Sequence, residues 1–293
     1  MFSKYESAGN IHKKVYEKIC NYELVDKSTK DISKFIENCI KDFSSNNEIN
    51  GGIAFPIGIS INDCCAHDTY SPHLKNNKII RKNDLVKIDY GVHIDGYIVD
   101  GAYSFSNNDN KQNETLCNAS KDALENALKI FRVDTRLDEV GKTIQEVIES
   151  YEYENKKCVP VFDLSGHKID KFKIHSGKAV PNIKINYPLK IEEDEVYAIE
   201  PFVTYTKGAI YNKYKDTTHF MLNRLVKYDL VKKSYMDFNM LPFCDKWTEQ
   251  KYDKLDECQY ISKYPPLYTV NREKVAQFEK TVYVKEKSTI ILN

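Results

Sequence analysis

The stretch LVKIDYGVHIDGYIVDGAYSF, residues 85–105, constrains the fold of this chain more than any other. Two runs rich in Val, Ile, Tyr and Phe flank Asp95-Gly96. That dipeptide tolerates positive φ and so favours a tight two-residue hairpin turn. With these residues in the turn, Ile94 pairs with Tyr97, Asp89 lies opposite Ala102, and Asp100 lies opposite Gly91. Both aspartates then face one side as diagonal neighbours, about 7–8 Å apart at the backbone. Two acids converging within apolar strands repel each other and lose hydration, which a bound metal ion would offset. Taken alone, the pair also fits a solvent-facing sheet surface.

The 293 residues carry 43 Lys+Arg against 43 Asp+Glu, so the global electrostatic reason to bind nucleic acid or a membrane surface is absent. With 41% hydrophobic residues the chain can bury a full core as one large domain or two small ones. The N-terminus has no apolar segment of signal-peptide type, and no window approaches the roughly 18 apolar residues of a membrane span. Eight scattered cysteines with no CxxC pair read as reduced, mostly buried small side chains. The expected compartment is the cytoplasm.

Two helices precede the hairpin. One carries Ile11, Val15 and Ile19; the other follows Ser28 as N-cap and carries Ile32, Phe35, Ile36, Cys39, Ile40 and Phe43 on one stripe. Two more follow it, the second after Thr135 with Asp138 three residues on. From Cys158 the chain returns to short strands. Residues 222–263, rich in Lys, Asp and Tyr, read as a small helical insertion. The layout suggests two similar halves facing each other.

Three further residues bear on the aspartates. His167 follows a turn glycine in LSGHKI, and Glu200 in VYAIEPF and Glu279 in AQFEKTV sit within apolar strand patterns. Singly, each glutamate also fits an ion-pair partner. Together, Asp, Asp, His, Glu and Glu can hold two divalent cations, with two carboxylates bridging them. His12, His73 and His93 read as structural or solvated, with His12 on a surface helix.

At this point the sequence resembles the pita-bread-fold methionine aminopeptidases, most of all those of type 2. The resemblance rests on IAFPIGISINDCCAH, KIDYGVHIDGYIVDGAYSF, VGKTIQEVIESYE, LSGHKI with KIHSGKAVP, EVYAIEPF, and YPPL followed by AQFEKTV. It covers the chain from about residue 8 onward. The ligand spacings of eleven, sixty-seven and thirty-three along Asp89, Asp100, His167 and Glu200 fit the family pattern.

The resemblance implies an α+β pita-bread fold, with two pseudo-symmetric halves around a dimetal site in a single domain over residues 1–293, and an insertion subdomain over 222–263. It implies two divalent ions (Mn, Fe, Co or Zn), with Asp89 on the second metal, Asp100 and Glu279 bridging both, and His167 and Glu200 completing the shell of the first metal. Glu200 would also act as general base, while His67 and His175 would contact substrate and the developing oxyanion. Phe55, Ile174, His175, His219, Tyr264 and Leu267 would wall a methionine slot, and His219 would help hold the free amino group. The implied activity is removal of initiator methionine from nascent polypeptides by a dimetal-bound hydroxide, with a small second residue preferred.

The sequence departs from the family in places. Two extra residues lie in the loop after His67, Pro201 stands where type 2 enzymes often have Thr, and 222–263 is short. The long charged N-terminal extension of many eukaryotic relatives is absent, so a tether to the ribosome through it is not expected; transient ribosome contact stays open. A monomer binding neither nucleic acid nor membrane is expected. Two rivals remain: a non-catalytic pita-bread protein binding RNA or protein, which should have lost metal ligands, and an X-Pro dipeptidase-like enzyme. The second usually carries a separate N-terminal domain, for which only 66 residues precede His67.

Overall fold

A computed structural model describes residues 1–44, 50–106, 110–223, 237–248 and 259–293. Helices α1 (Phe2–Cys20) and α2 (Thr29–Ser44) come first. Strands β1 (Gly51–Ile53), β2 (Gly58–Ile61) and β3 (Cys64–Ala66) lead to the long hairpin of β4 (Leu85–Ile94) and β5 (Tyr97–Ser106). The hairpin has the register its turn chemistry dictates. Ile94 pairs with Tyr97, Asp89 with Ala102 and Gly91 with Asp100, and Asp95 and Gly96 both have positive φ, of 51° and 84°. One edge of β4 binds β1 and β2 end to end, and the other binds β5.

Helix α1 packs against both hairpin strands and α2. Ser28 caps α2 as its sequence suggests, since its hydroxyl accepts from Asp31 N at 3.1 Å. His12 departs from the surface-helix expectation: it is fully buried, with its ring stacked on Tyr90 at 4.1 Å. Strand alternation therefore sends Tyr90 toward α1 and Asp89 to the opposite face.

Helices α3 (Lys111–Ile130) and α4 (Leu137–Glu149) pack on each other and on the strands of the second half. Asn110 caps α3 through a bond from Asn113 N at 3.1 Å. Thr135 does not cap α4; its hydroxyl donates to Ile130 O, and Asp138 takes two bonds from Arg136. A capping box needs an acceptor free to face the first turn, and here both groups are committed to local partners.

The strands of this half begin with β6 (Glu152–Tyr153), β7 (Lys156–Pro160), β8 (Ser165–Ile169) and β9 (Ala179–Pro181), then β10 (Val196–Ile199), β11 (Phe202–Tyr205) and β12 (Ile210–Asn212). They end with β13 (His219–Leu222), β14 (Phe243–Cys244), β15 (Ile261–Tyr264), β16 (Leu267–Thr269), β17 (Ala276–Gln277), β18 (Lys280–Lys285) and β19 (Ser288–Ile291). One sheet runs β19-β18-β10-β8-β9 and another β17-β11-β7-β6.

Glu200 and Glu279 correct the expectation of mid-strand positions. Glu200-Pro201 separates β10 from β11, and Phe278-Glu279 separates β17 from β18. In each case the chain passes between these two sheets at the glutamate. Pro201 lacks an N–H and restrains the residue before it, so it breaks the strand at Glu200.

Much of the expected helical insertion, 224–236 and 249–258, lies outside the described residues. Its described parts add β14 and β15 to β13 in the small sheet β14-β13-β15, and form a helical turn, Asp245–Thr248.

Candidate dimetal active site

Adjacent strands deliver the candidate ligands to one place. His167 on β8 pairs with Ala198 on β10, and Ala198 pairs with Thr281 on β18, so His167, Glu200 and Glu279 enter from neighbouring segments. The hairpin supplies Asp89 and Asp100. A bond from Glu279 N to Ala102 O at 2.9 Å joins β5 to the strand break at Glu279.

Donor atoms of Asp100, His167 and Glu279 all lie within 4.8 Å of one another. His167 Nε2 is 3.7 Å from Asp100 Oδ2 and 3.5 Å from Glu200 Oε1. Asp100 and Glu279 are buried, and the side chains of His167 and Glu200 are only 12% and 11% exposed.

This arrangement lacks compensation from the protein itself. Asp89 Oδ1, Asp100 Oδ1 and both oxygens of Glu279 are buried without a hydrogen-bond partner. Among the described residues no Lys or Arg forms an ion pair with any of the four carboxyls. Burial lifts the Asp89 carboxyl to about 7. Burial, then repulsion from the neighbouring carboxyls, lifts Asp100, Glu200 and Glu279 well above the usual range. Burial holds the His167 imidazole well below its ordinary value, hence neutral and able to ligate. Orphaned oxygens around a neutral imidazole are what divalent cations compensate, so these residues fit divalent-cation binding.

Asp89, Asp100, His167, Glu200 and Glu279 line a cavity of about 390 Å³, within the usual size of small-ligand sites. Phe55, His67, Ile174, His175, His219 and Tyr264 all line it. His67 packs between His219 and Tyr264, each with ring centroids 5.8 Å away, and His175 lies 4.5 Å edge-on from His167. Burial lowers His67 to about 4, with a smaller contribution from His175, and lowers His219 to about 3. Both rings are therefore neutral at pH 7. Phe55 reaches the wall because Gly91 has no side chain: a Cβ there would stand 2.2 Å from the Phe55 ring.

Leu267 is the exception among the sequence-selected wall residues. It does not line the cavity; it belongs to a cluster with Cys65, Ala66, Val161, Phe202 and Val275, in which Ala66 and Phe202 do. Residues that the sequence did not single out also contribute, among them four with clear roles. Phe202 and Pro242 line the cavity, Gln277 Nε2 donates to Glu200 Oε2 at 3.1 Å, and Thr281 holds the backbone of Asp100. Gln277 and Thr281 flank Glu279 at two residues on either side, which is the signal that could have found them.

The profile of metallopeptidase family M24 matches residues 3–286. The chain is 33% identical to methionine aminopeptidase 2 of Komagataella phaffii over 310 residues, covering 97% of this chain and 68% of that protein. It is 34% identical to methionine aminopeptidase 2 of Encephalitozoon hellem, covering 97% and 84%. Among solved structures it superposes on a thermophilic Arx1 with a TM-score of 0.85 at 15% identity, covering 99% and 90%. It superposes on a methionine aminopeptidase of Thermotoga maritima with a TM-score of 0.72 at 19% identity, covering 99% and 95%. The architecture is thus the pita-bread fold expected from the sequence. Matched along almost its whole length, the chain belongs to metallopeptidase family M24, together with the methionine aminopeptidase 2 proteins.

Proposed function

We propose that this protein removes the initiator methionine from nascent polypeptides, preferring a small second residue, with two divalent ions of Mn, Fe, Co or Zn. The observation that carries this reading is the convergence of one neutral histidine and four carboxyls, three of them with orphaned oxygens, in a cavity edged by three further histidines. Asp89 would hold one ion, His167 and Glu200 the other, and Asp100 and Glu279 both. When bound, the ions polarise the scissile carbonyl and bring the pKa of water down to working pH.

The chain's own residues supply the rest. Glu200, kept basic by burial and by its carboxylate neighbours, takes a proton from the attacking water and passes it to the leaving amine. Neutral His67 and His175 each have one N–H to donate toward the carbonyl oxygen as charge develops there. Phe55, Ile174 and Tyr264 provide the apolar part of a slot for an unbranched thioether side chain. His219, whose Nδ1 lies 3.1 Å from Thr218 Oγ1, would face the free amino group and restrict cleavage to chain ends. The reading carries with it a cytoplasmic monomer with transient ribosome contact. No described helix is long and apolar enough to cross a membrane.

The test is hydrolysis of Met-Ala-Ser by metal-stripped protein with Mn²⁺, Co²⁺, Fe²⁺ or Zn²⁺ restored, beside the Asp100→Asn variant. Metal-dependent release of free methionine, lost in the variant, is expected. A folded protein that leaves the peptide intact with every metal overturns the reading.

A further inference from the structure

Asp100 Oδ1 has no hydrogen-bond partner, so nothing at that oxygen fixes how the carboxylate meets the cavity. Its backbone is held instead, and by side chains. Thr281 Oγ1 accepts from Asp100 N and donates to Asp100 O, both at 2.7 Å. Asn293 Nδ2 donates to the same Asp100 O at 2.7 Å, while Asn293 Oδ1 accepts from Thr281 N at 2.9 Å.

The buried carboxamide of Asn293 therefore spans two segments: the strand that carries Asp100, and the one that begins just after Glu279. Gly101 makes the approach possible, because a Cβ there would stand 2.2 Å from Asn293 Nδ2. On its other side, His12 Nε2 lies 3.5 Å from Asn293 Nδ2, and the His12 ring is itself pinned against Tyr90.

We propose that Asn293 is a positioning residue for the bridging carboxylates, fixing the separation of Asp100 and Glu279 and thereby the affinity of the site for its second metal ion. The proposal rests on the dimetal reading above. The physical argument is one of opposing forces. When both are ionised, Asp100 and Glu279 repel each other in a dry environment and tend to separate unless cations lie between them. The Asn293 carboxamide resists that separation from behind, through one donor and one acceptor, in the manner of the outer partners that orient metal ligands. Without it, the Thr281 amide loses its acceptor in the interior, and that strand must shift to find another.

The experiment compares metal-stripped wild type with Asn293→Ala and Asn293→Leu. The Leu variant keeps the branched four-atom side chain without its polar atoms, so it carries the comparison if the smaller side chain fails to fold. Mn²⁺ titration calorimetry reads each binding step, the Co²⁺ absorption spectrum reads ligand geometry, and thermal melting of the metal-free proteins reads packing. Expected is a second binding step weakened about tenfold or more, in line with other outer-shell substitutions, with an altered Co²⁺ band in both variants. The kcat on Met-Ala-Ser falls while KM stays near the wild-type value. Isotherms and Co²⁺ spectra matching wild type, with only the melting temperature changed, would show that Asn293 merely anchors the strand. Wild-type protein that takes up no second ion removes the dimetal reading, and this proposal with it.

Discussion

Asp100 and Glu279 are clasped to each other through residues two places beyond each: Glu279 N donates to Ala102 O at 2.9 Å, and Thr281 closes on both backbone groups of Asp100 at 2.7 Å. The clasp joins the two halves of the fold at the point where their carboxyls most repel. Each such bond contributes about 1 kcal/mol net, so three of them only partly offset a cluster of buried like charges. Metal binding and folding must therefore be linked.

Removal of metal measures that linkage. The raised carboxyls make the metal-free folded state hold more protons than the unfolded chain. Their contribution to stability is greatest in acid and is lost as pH rises from the ordinary carboxyl range through the elevated folded values. The metal-free protein should melt lower at pH 8 than at pH 6, and Mn²⁺ should restore the difference. Calorimetry at pH 7 in buffers of different ionisation enthalpy should show at least about one proton released on full metallation. Binding without proton release would contradict the raised values.

Proton transfer and oxyanion stabilisation separate by substitution. Glu200→Gln should lower kcat on Met-Ala-Ser about 10²- to 10⁴-fold. His175→Ala should cost about 10²- to 10³-fold, with metal uptake intact. A His175→Ala enzyme with wild-type kcat would remove that residue from the chemistry.

Gly91 offers a test of the slot at a residue that is not itself a proposed metal ligand. In Gly91→Ala the new methyl must displace the Phe55 ring, which a Cβ would approach to 2.2 Å. A wall displaced by about 1 Å should raise KM roughly tenfold, with metal stoichiometry unchanged. An unchanged KM for methionyl peptides would place Phe55 outside the slot.

His12 predicts a separate acid sensitivity. Burial lowers it from 6.5 to about 3 in the fold, so the unfolded chain protonates first as pH falls. Its stabilising contribution is whole above about pH 6.5 and is lost progressively between there and about 3. In that window wild type should lose up to about 1.4 kcal/mol per pH unit relative to His12→Gln. Parallel denaturation profiles for the two proteins would refute this.

The hairpin was legible down to its register because Asp95-Gly96 is local chemistry that leaves strand pairing no freedom. The convergence of Asp89, Asp100, His167, Glu200 and Glu279 on one cavity was legible because residue type and spacing survive in sequence. The burial of His12 was not read because the stripe was traced through Ile11, Val15 and Ile19 alone. The small residues Ala8 and Gly9, which let α1 settle on the hairpin and against Leu292, widen that stripe. Leu267 was placed on the cavity by resemblance, but side-chain direction on a short strand depends on its partner. The register shift where β16 meets β3 falls between Leu267 and Tyr268. Asn293 lies 193 positions from Asp100, and no periodicity connects such residues.

The ladder between β13 and β15 pairs His219 with Tyr264, and β14 pairs Cys244 with His219. The chain thus leaves this small sheet at Asn223 and returns to it at Phe243, then leaves again and returns at Ile261. An excursion whose two ends are fixed by strand pairing can change length cheaply, since doubling it costs only about 0.6 kcal/mol of closure entropy. Insertions and deletions between these anchor points can therefore accumulate over evolution without displacing His219 or Tyr264.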